Sequence, residues 1–386
     1  MADFIIAEKN MTDIFNGCLG YLNANLKVAK NIELDIEFYM ETEKQNIYAK
    51  AGKREDGRYI VTVSMATYSI VEAYYTEMLR LKGFYMGLTN EKDYDIKIVD
   101  QYSIALIDMT IRTIIYHELG HIFNGHIDYI QFKIDEYKRT HPDKKNINYV
   151  AEYLENCKTA RPYLEAMDWQ ALEWNADDFA ITRLIAQFTH KENMELNNFK
   201  SIDQVFFVIT AAITSMHCLM DMHIVKDDDV MDKYTLQEHL PKRYRLQNYL
   251  KVAGLATKKF NGMNIDFYNE PQFEKVVRRF EEWYVVYTKA KSGEMKEGDK
   301  LDITDTTVEN NREELDEDHE VYYLLVDLYY LAELPRELKD FTYCEVYDNF
   351  ANKDEEALKA TFDKESIKKF ADEIMRSYKE NRSRSD

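Results

Sequence analysis

Residues 113–126 read TIIYHELGHIFNGH, and this stretch decides the rest. It contains H-E-x-x-H as His117, Glu118 and His121. On a helix, positions i and i+4 share a face, so both imidazoles can turn toward one ion. Glu118 is rotated by one residue from them and can reach a water held on that ion without joining its ligands. Zinc acidifies such a water and polarises a carbonyl. The carboxylate then takes the water's proton and passes it to the leaving amine. The alternative is a helix whose histidines make ordinary hydrogen bonds. The preceding residues, IALIDMTIRTIIY (104–116), are apolar and helical in pattern. The motif is therefore expected on a buried helix over about 104–124, ending at Asn124-Gly125. Burying two histidines and a glutamate without a shared task is costly.

A third ligand must come from elsewhere. The metzincin pattern needs Gly three and His six positions after the second His; Asn124 and Ile127 stand there and exclude it. His126, five positions on and past the helix end, reads as a loop histidine rather than a ligand. The better candidate is Glu173 in LEWNADDFAI (172–181), on a helix expected over about 170–186. A carboxylate completes a two-His, one-Glu site and leaves a fourth position for water. Asp177, one turn later, is expected to accept a hydrogen bond from the far nitrogen of a ligating His and so fix its tautomer. A surface acidic pair is the alternative, but Trp174, Ala176 and Phe179 indicate a packed face. The implied cofactor is Zn2+, held by His117, His121 and Glu173.

HELGH followed about fifty residues later by E-x-x-A-D resembles the gluzincin-type zinc metallopeptidases. That group includes membrane-associated enzymes and smaller regulatory proteases that cleave repressors. Many of the membrane-associated kind carry a His-Pro-rich stretch with Arg six residues after the His. HLPKRYRL (239–246) supplies His239, Pro241 and Arg245, with the Pro displaced by one position. The resemblance implies that His239 or Arg245 holds the substrate or the oxyanion; a loop histidine and a helix-starting proline are the alternative. Over roughly residues 100–250 the chain is similar to the Lit-like peptidases, in which an N-G-H-like tail follows H-E-x-x-H. That likeness implies a zincin fold and a bacterial protease acting on a particular intracellular protein, in phage defence or regulation. It leaves the last 130 residues or so unexplained.

Outward from the motif, the first hundred residues look mixed. IELDIEFY (32–39) alternates apolar and polar as a half-buried strand does; 46–51 and RYIVTVS (58–64) read as two more strands, with KREDG (53–57) as a turn. In zincin folds the edge strand of such a sheet lies over the metal, and a substrate peptide can add to it. YIVTVSMATY (59–68) is the candidate edge; an ordinary core strand is the alternative. Helical patterns dominate from about Tyr68 onward. The expected fold is α+β and mainly α-helical: a small N-terminal sheet packed on the active-site helix, with a helical C-terminal extension. The expected division is 1–255, a metallopeptidase domain, and 256–386, a helical region. The latter holds an acidic loop over about 293–320 with twelve acids against three bases, and terminal helices at 321–334 and 355–378. That loop or those helices are candidates for holding the enzyme inactive.

Composition narrows the function further. The chain has 386 residues, 50 Lys plus Arg and 70 Asp plus Glu, a net charge of −20. A face basic enough to wrap nucleic acid is not expected. The 45% apolar content excludes a disordered chain. Cys18, Cys157, Cys218 and Cys344 lie far apart with no CxxC, so neither a disulfide framework nor a cysteine-rich zinc site is expected. MADFIIAEKNMTD has no basic region before a long apolar stretch, hence no secretory signal is read. VFFVITAAITSMHCLM (205–220) is short for a membrane span and carries Thr, Ser and His, so it is read as a buried core helix. His217, His223 and Cys218 are read as core or cap residues. A cytoplasmic, zinc-dependent endopeptidase with a protein substrate and Glu118 as base is the resulting expectation. The alternatives are a non-catalytic binding or regulatory protein on a zincin fold and a closed structural zinc site using His126.

Overall fold

The chain begins with helix α1 (Ala2–Asn25), whose Ala7, Met11, Ile14, Phe15, Cys18 and Leu22 form a buried stripe at helical spacing. This helix is an addition to the elements expected from sequence. A sheet of three strands follows, β1 (Ile36–Glu41), β2 (Ala49–Lys53) and β3 (Tyr59–Ser64), in the order β1-β3-β2. β1 runs parallel to β3 with Ile36 opposite Tyr59; β2 runs antiparallel to β3 with Lys53 opposite Tyr59. The computed structural model describes residues 2–26, 34–80, 96–140, 166–220, 242–267, 269–291 and 334–344. Cys157, His223, His239, the acidic run 293–320 and the segment 355–378 lie outside the described residues.

One expectation is corrected here. YIVTVS is not an edge strand: β3 is paired on both sides, and residues 65–68 already belong to a helix. The physical reason is burial on both faces. Val61 and Val63 are fully buried and Tyr59 and Thr62 nearly so. A near-continuous apolar run of this kind belongs to a central strand. The edges are β1 and β2, and the edge strand packed against the motif helix is β2. The turn at KREDG forms as expected. Gly57 there has φ +89°, and its N–H donates to the Arg54 carbonyl at 2.9 Å.

From β3 the chain passes directly into α2 (Met65–Arg80), whose first turn is capped by Ser64: its Oγ accepts the Thr67 N–H at 3.2 Å. The remaining described elements are α3 (Ile96–Phe123), α4 (His126–Thr140), α5 (Ala166–Phe188), α6 (Lys191–Leu196), α7 (Ile202–Met220), α8 (Lys242–Asn261), α9 (Pro271–Lys291) and α10 (Leu334–Leu338). The fold is thus α+β, mostly helical, with the small sheet in the N-terminal region. α3 is the axis. Its 28 residues span about 42 Å and contact α1, α2, β2, α5 and α7. Leu106, Ile111, Ile115, Tyr116 and Leu119 point to different sides of it and are all fully buried, because a helix surrounded by neighbours must be apolar all round. α7 is the one described helix long and apolar enough to cross a membrane, but 78% of its Ile202–Leu219 window is buried against its neighbours. It occupies the position of a core helix.

The core does not divide at residue 255. That position lies inside α8, and the buried cluster continues through Phe267, Phe273, Phe280, Trp283, Leu334 and Cys344. Among the described residues, those beyond 256 thus share one buried cluster with those before it. Residues 334–344 even touch the motif helix. The Tyr343 N–H donates to the Phe123 carbonyl at 2.8 Å, and the Phe341 ring lies 5.6 Å from that of Tyr129 on α4.

α3 ends where Asn124-Gly125 predicts. Gly125 takes φ +77°, and a Cβ on it would collide with the Phe341 carbonyl and sit 2.7 Å from the Thr342 nitrogen. Both constraints require glycine. Gly125→Ala is expected to lower stability by about 1–3 kcal/mol from the backbone conformation alone, with more if Phe341 is displaced. Urea denaturation measures it; an unchanged midpoint would contradict the tight fit.

A second lock joins sheet, α4 and the 334–344 segment. Lys53 Nζ donates to Asp128 Oδ1 at 2.8 Å, while the Tyr59 and Tyr343 hydroxyls each lie 2.6 Å from Oδ2. Burial pushes the Asp128 carboxyl up, but these donors, Lys53 foremost, outweigh it and hold it below the usual range. A depressed folded pKa means the contacts stabilise the fold above the ordinary carboxylate value of ~3.9 and are lost as pH falls through the folded value. Asp128→Asn is therefore expected to be less stable than the parent at neutral pH. Its deficit should shrink as pH falls toward about 3. Comparing urea midpoints at the two pH values checks this; a deficit independent of pH would refute it.

Candidate metal centre

The site is built from α3 and α5. Within HELGH, Gly120 sets how closely these helices pack: a Cβ there would lie 3.2 Å from Phe179 Cβ and 3.3 Å from Ala176 Cα. Two small residues facing each other let α5 bring a short glutamate side chain up to the histidines. Glu173 Oε2 lies 3.2 Å from His117 Nε2, and Glu173 Oε1 lies 3.4 Å from His121 Nε2. The two Nε2 atoms are themselves 3.2 Å apart. Three donor atoms thus converge on one point, all within 4.8 Å of one another, and this buried group could hold a metal ion. Among the described residues it is the group of three or more such side chains that meets this condition. The sequence expectation of His117, His121 and Glu173 as neighbours is what the structure brings together.

Burial is graded around that point. The His117, His121 and Glu173 side chains keep 11%, 14% and 10% of their surface exposed, while Glu173 Oε2 and His117 Nδ1 are themselves closed to solvent. Behind them Asp177 is 2% and His126 0% exposed. Glu118 is buried next to His117.

Asp177 stands where expected, its Oδ1 2.7 Å from His117 Nδ1. Burial disfavours an imidazolium at 117, yet the Asp177 and Glu173 carboxylates outweigh it and push the pKa up to about 10. The local field therefore favours positive charge at the place where the donors meet. Asp177 in turn is held by Arg245, whose Nε and Nη2 donate to its two oxygens at 2.8 and 2.7 Å, and by the Tyr249 hydroxyl at 2.5 Å. Burial alone would raise the Asp177 carboxyl; Arg245 and His117 bring it far below the usual range. Gln170, Trp174 and Asn248 close around this pair, leaving no volume for a water molecule.

Arg245 lies on Asp177 in the protein interior: its guanidinium forks onto that carboxylate, which in turn stands against His117 Nδ1. The companion residue His239 lies outside the described residues.

His126 also has a place that the loop reading did not supply. The left-handed turn at Gly125 starts α4 at once and folds His126 back onto the motif helix. Its Nδ1 lies 2.9 Å from His121 Nδ1, and its Nε2 lies 2.9 Å from Asn175 Oδ1. Asn124 Nδ2 donates to the same Asn175 oxygen at 2.5 Å. Burial and the neighbouring His121 push the His126 pKa well down. His126 meets His121 on the ring edge away from Nε2 and is outside the donor group. Asn124, Asn175 and Tyr249 were not singled out from sequence. The N-G-H tail was the available signal for the first of these. Compared with protein-family models, with curated proteins and with solved structures, the chain matches none.

Proposed function

We propose that the protein is a zinc-dependent endopeptidase of the gluzincin type, acting on a specific intracellular protein as its likeness to the Lit-like peptidases implies. One observation carries the reading: the spacing of the three donors. A tetrahedral zinc with bonds of about 2.0–2.1 Å to nitrogen has donor-to-donor edges of about 3.3–3.4 Å. The two Nε2 atoms are 3.2 Å apart, and the Glu173 carboxylate turns one oxygen to each ring, Oε2 at 3.2 Å from His117 Nε2 and Oε1 at 3.4 Å from His121 Nε2, so the imidazole pair stands at such an edge and either oxygen can complete the set. Two imidazoles and one carboxylate are also the donor set of an open catalytic site, with no thiolate as structural zinc prefers. A zinc ion held there supplies Lewis acidity, lowering the pKa of water and polarising a carbonyl.

The chain's own residues do the rest. Glu118, adjacent to His117 on α3, accepts the proton of the attacking water and returns it to the departing amine. Asp177 and Arg245 keep the His117 ring turned so that Nε2 faces the donors. Edge strand β2, packed against α3, is the strand along which an extended substrate segment would align.

The test compares protein N-termini in cells expressing the parent or Glu118→Gln. The proposal expects new N-termini from one or very few proteins in the parent alone. The same effect on cells from both forms would instead favour a non-catalytic binding protein on this fold.

A further inference from the structure

The two histidines of the donor group are backed differently. His117 leans on an anion, Asp177, whereas His121 leans on a second histidine. Two facing ring nitrogens 2.9 Å apart share one proton, and the ring that owns it decides what the other edge of His121 presents. The rest of the chain of contacts settles ownership. Asn175 Oδ1 is an acceptor that already takes a hydrogen from Asn124 Nδ2. His126 Nε2, facing the same oxygen, must then carry a hydrogen to bond it. The fully buried His126 ring meets an amide oxygen and another imidazole and hydrogen-bonds to no carboxylate, so it holds a single N–H, and His126 Nδ1 is bare and accepts. His121 Nδ1 must therefore be the donor, and its hydrogen sits on the ring edge away from Glu173.

The orientation of the Asn124 amide, on which this sequence depends, is set by the 334–344 segment. The Cys344 thiol lies 3.6 Å from Asn124 Oδ1, which leaves Nδ2 turned to Asn175. The groups behind His121 are closed to solvent. His126 and Asn124 are 0% exposed and Asn175 is 4%, so water cannot substitute for a missing partner.

We infer that His126 is a positioning residue for the metal centre: it takes the His121 Nδ1 hydrogen and thereby commits His121 Nε2 to binding a divalent cation. This rests on the metal reading above and adds a residue to it. Acceptors behind a ligating histidine are worth about 10–100-fold in metal affinity when removed.

The experiment has two independent readouts. Long-range proton–nitrogen NMR on the metal-free parent reports ring protonation directly. Hydrogens on His121 Nδ1 and His126 Nε2, with His126 Nδ1 bare, are expected; a hydrogen on His126 Nδ1 overturns the inference whether or not the protein takes up zinc. Zinc affinity by chelator competition is then measured for the parent, His126→Leu and His126→Asn. His126→Leu is expected to bind about 10–100-fold more weakly. His126→Asn keeps an oxygen near the Nδ1 position and is expected to recover most of that loss. Equal affinity in the parent and both variants overturns the inference while leaving the metal site intact. A parent that binds no zinc overturns the metal reading and this inference with it. Should His126→Leu fail to fold, His126→Asn and the NMR measurement still decide it.

Discussion

Glu118→Gln is expected to keep its zinc and to cleave peptide bonds about 10²–10⁴-fold more slowly than the parent. The side chain is nearly isosteric, and it is not among the donor atoms that meet at His117, His121 and Glu173. Removing its basicity leaves the ion's cradle intact but deprives the attacking water of a proton acceptor. The loss should fall on kcat, because a base acts in the transition state and not in ground-state binding. Kinetics on a fragment of the substrate, with zinc content measured on the same samples, checks both halves. Unchanged kcat would remove Glu118 from the chemistry. Loss of zinc along with activity would make it a ligand.

The second large effect concerns stability. Arg245→Leu is expected to destabilise the protein by about 3–5 kcal/mol, the usual consequence of stripping one partner from a buried ion pair. Asp177 would be left 2% exposed with only the Tyr249 hydroxyl and His117 beside it. Zinc affinity should fall as well, since His117 loses the group that fixes its carboxylate partner. Adding Asp177→Asn to Arg245→Leu removes the stranded charge, so the double variant should regain part of the stability. Urea unfolding of the single and double variants measures this. A substrate-holding arginine would behave otherwise: KM would rise while the urea midpoint stayed put.

Where each element could be read in advance follows from the range of the forces that place it. The helix of HELGH, its stop at Asn124-Gly125 and the Glu173–Asp177 face are local patterns. One helical turn relates the residues within each, and the apolar positions mark the buried side. The α1 stripe from Ala7 to Leu22 is equally local and legible, with the same spacing. Strand order is not local. β3 is the last strand before α2, yet β1 pairs beside it in parallel and moves it to the centre; the near-continuous apolar run YIVTVS was the sign of that. Arg245 reaches Asp177 across 68 residues, and nothing in HLPKRYRL distinguishes a cation bound to a buried carboxylate from one facing a substrate. The same holds for Cys344, which meets Asn124 across 220 residues through a short segment far along the chain. His126 lies between the two cases. The turn that returns it to His121 is visible as N-G-H, but its partner Asn175 is on another helix.

The central claim is that His117, His121 and Glu173 hold a zinc ion. Elemental mass spectrometry on purified protein, washed with a weak chelator after zinc loading, tests it most directly. The account predicts one zinc per chain in the parent and in Glu118→Gln, and near-complete loss when both His117 and His121 are replaced by alanine. A parent without zinc, or a double-alanine variant that keeps it, would contradict the account.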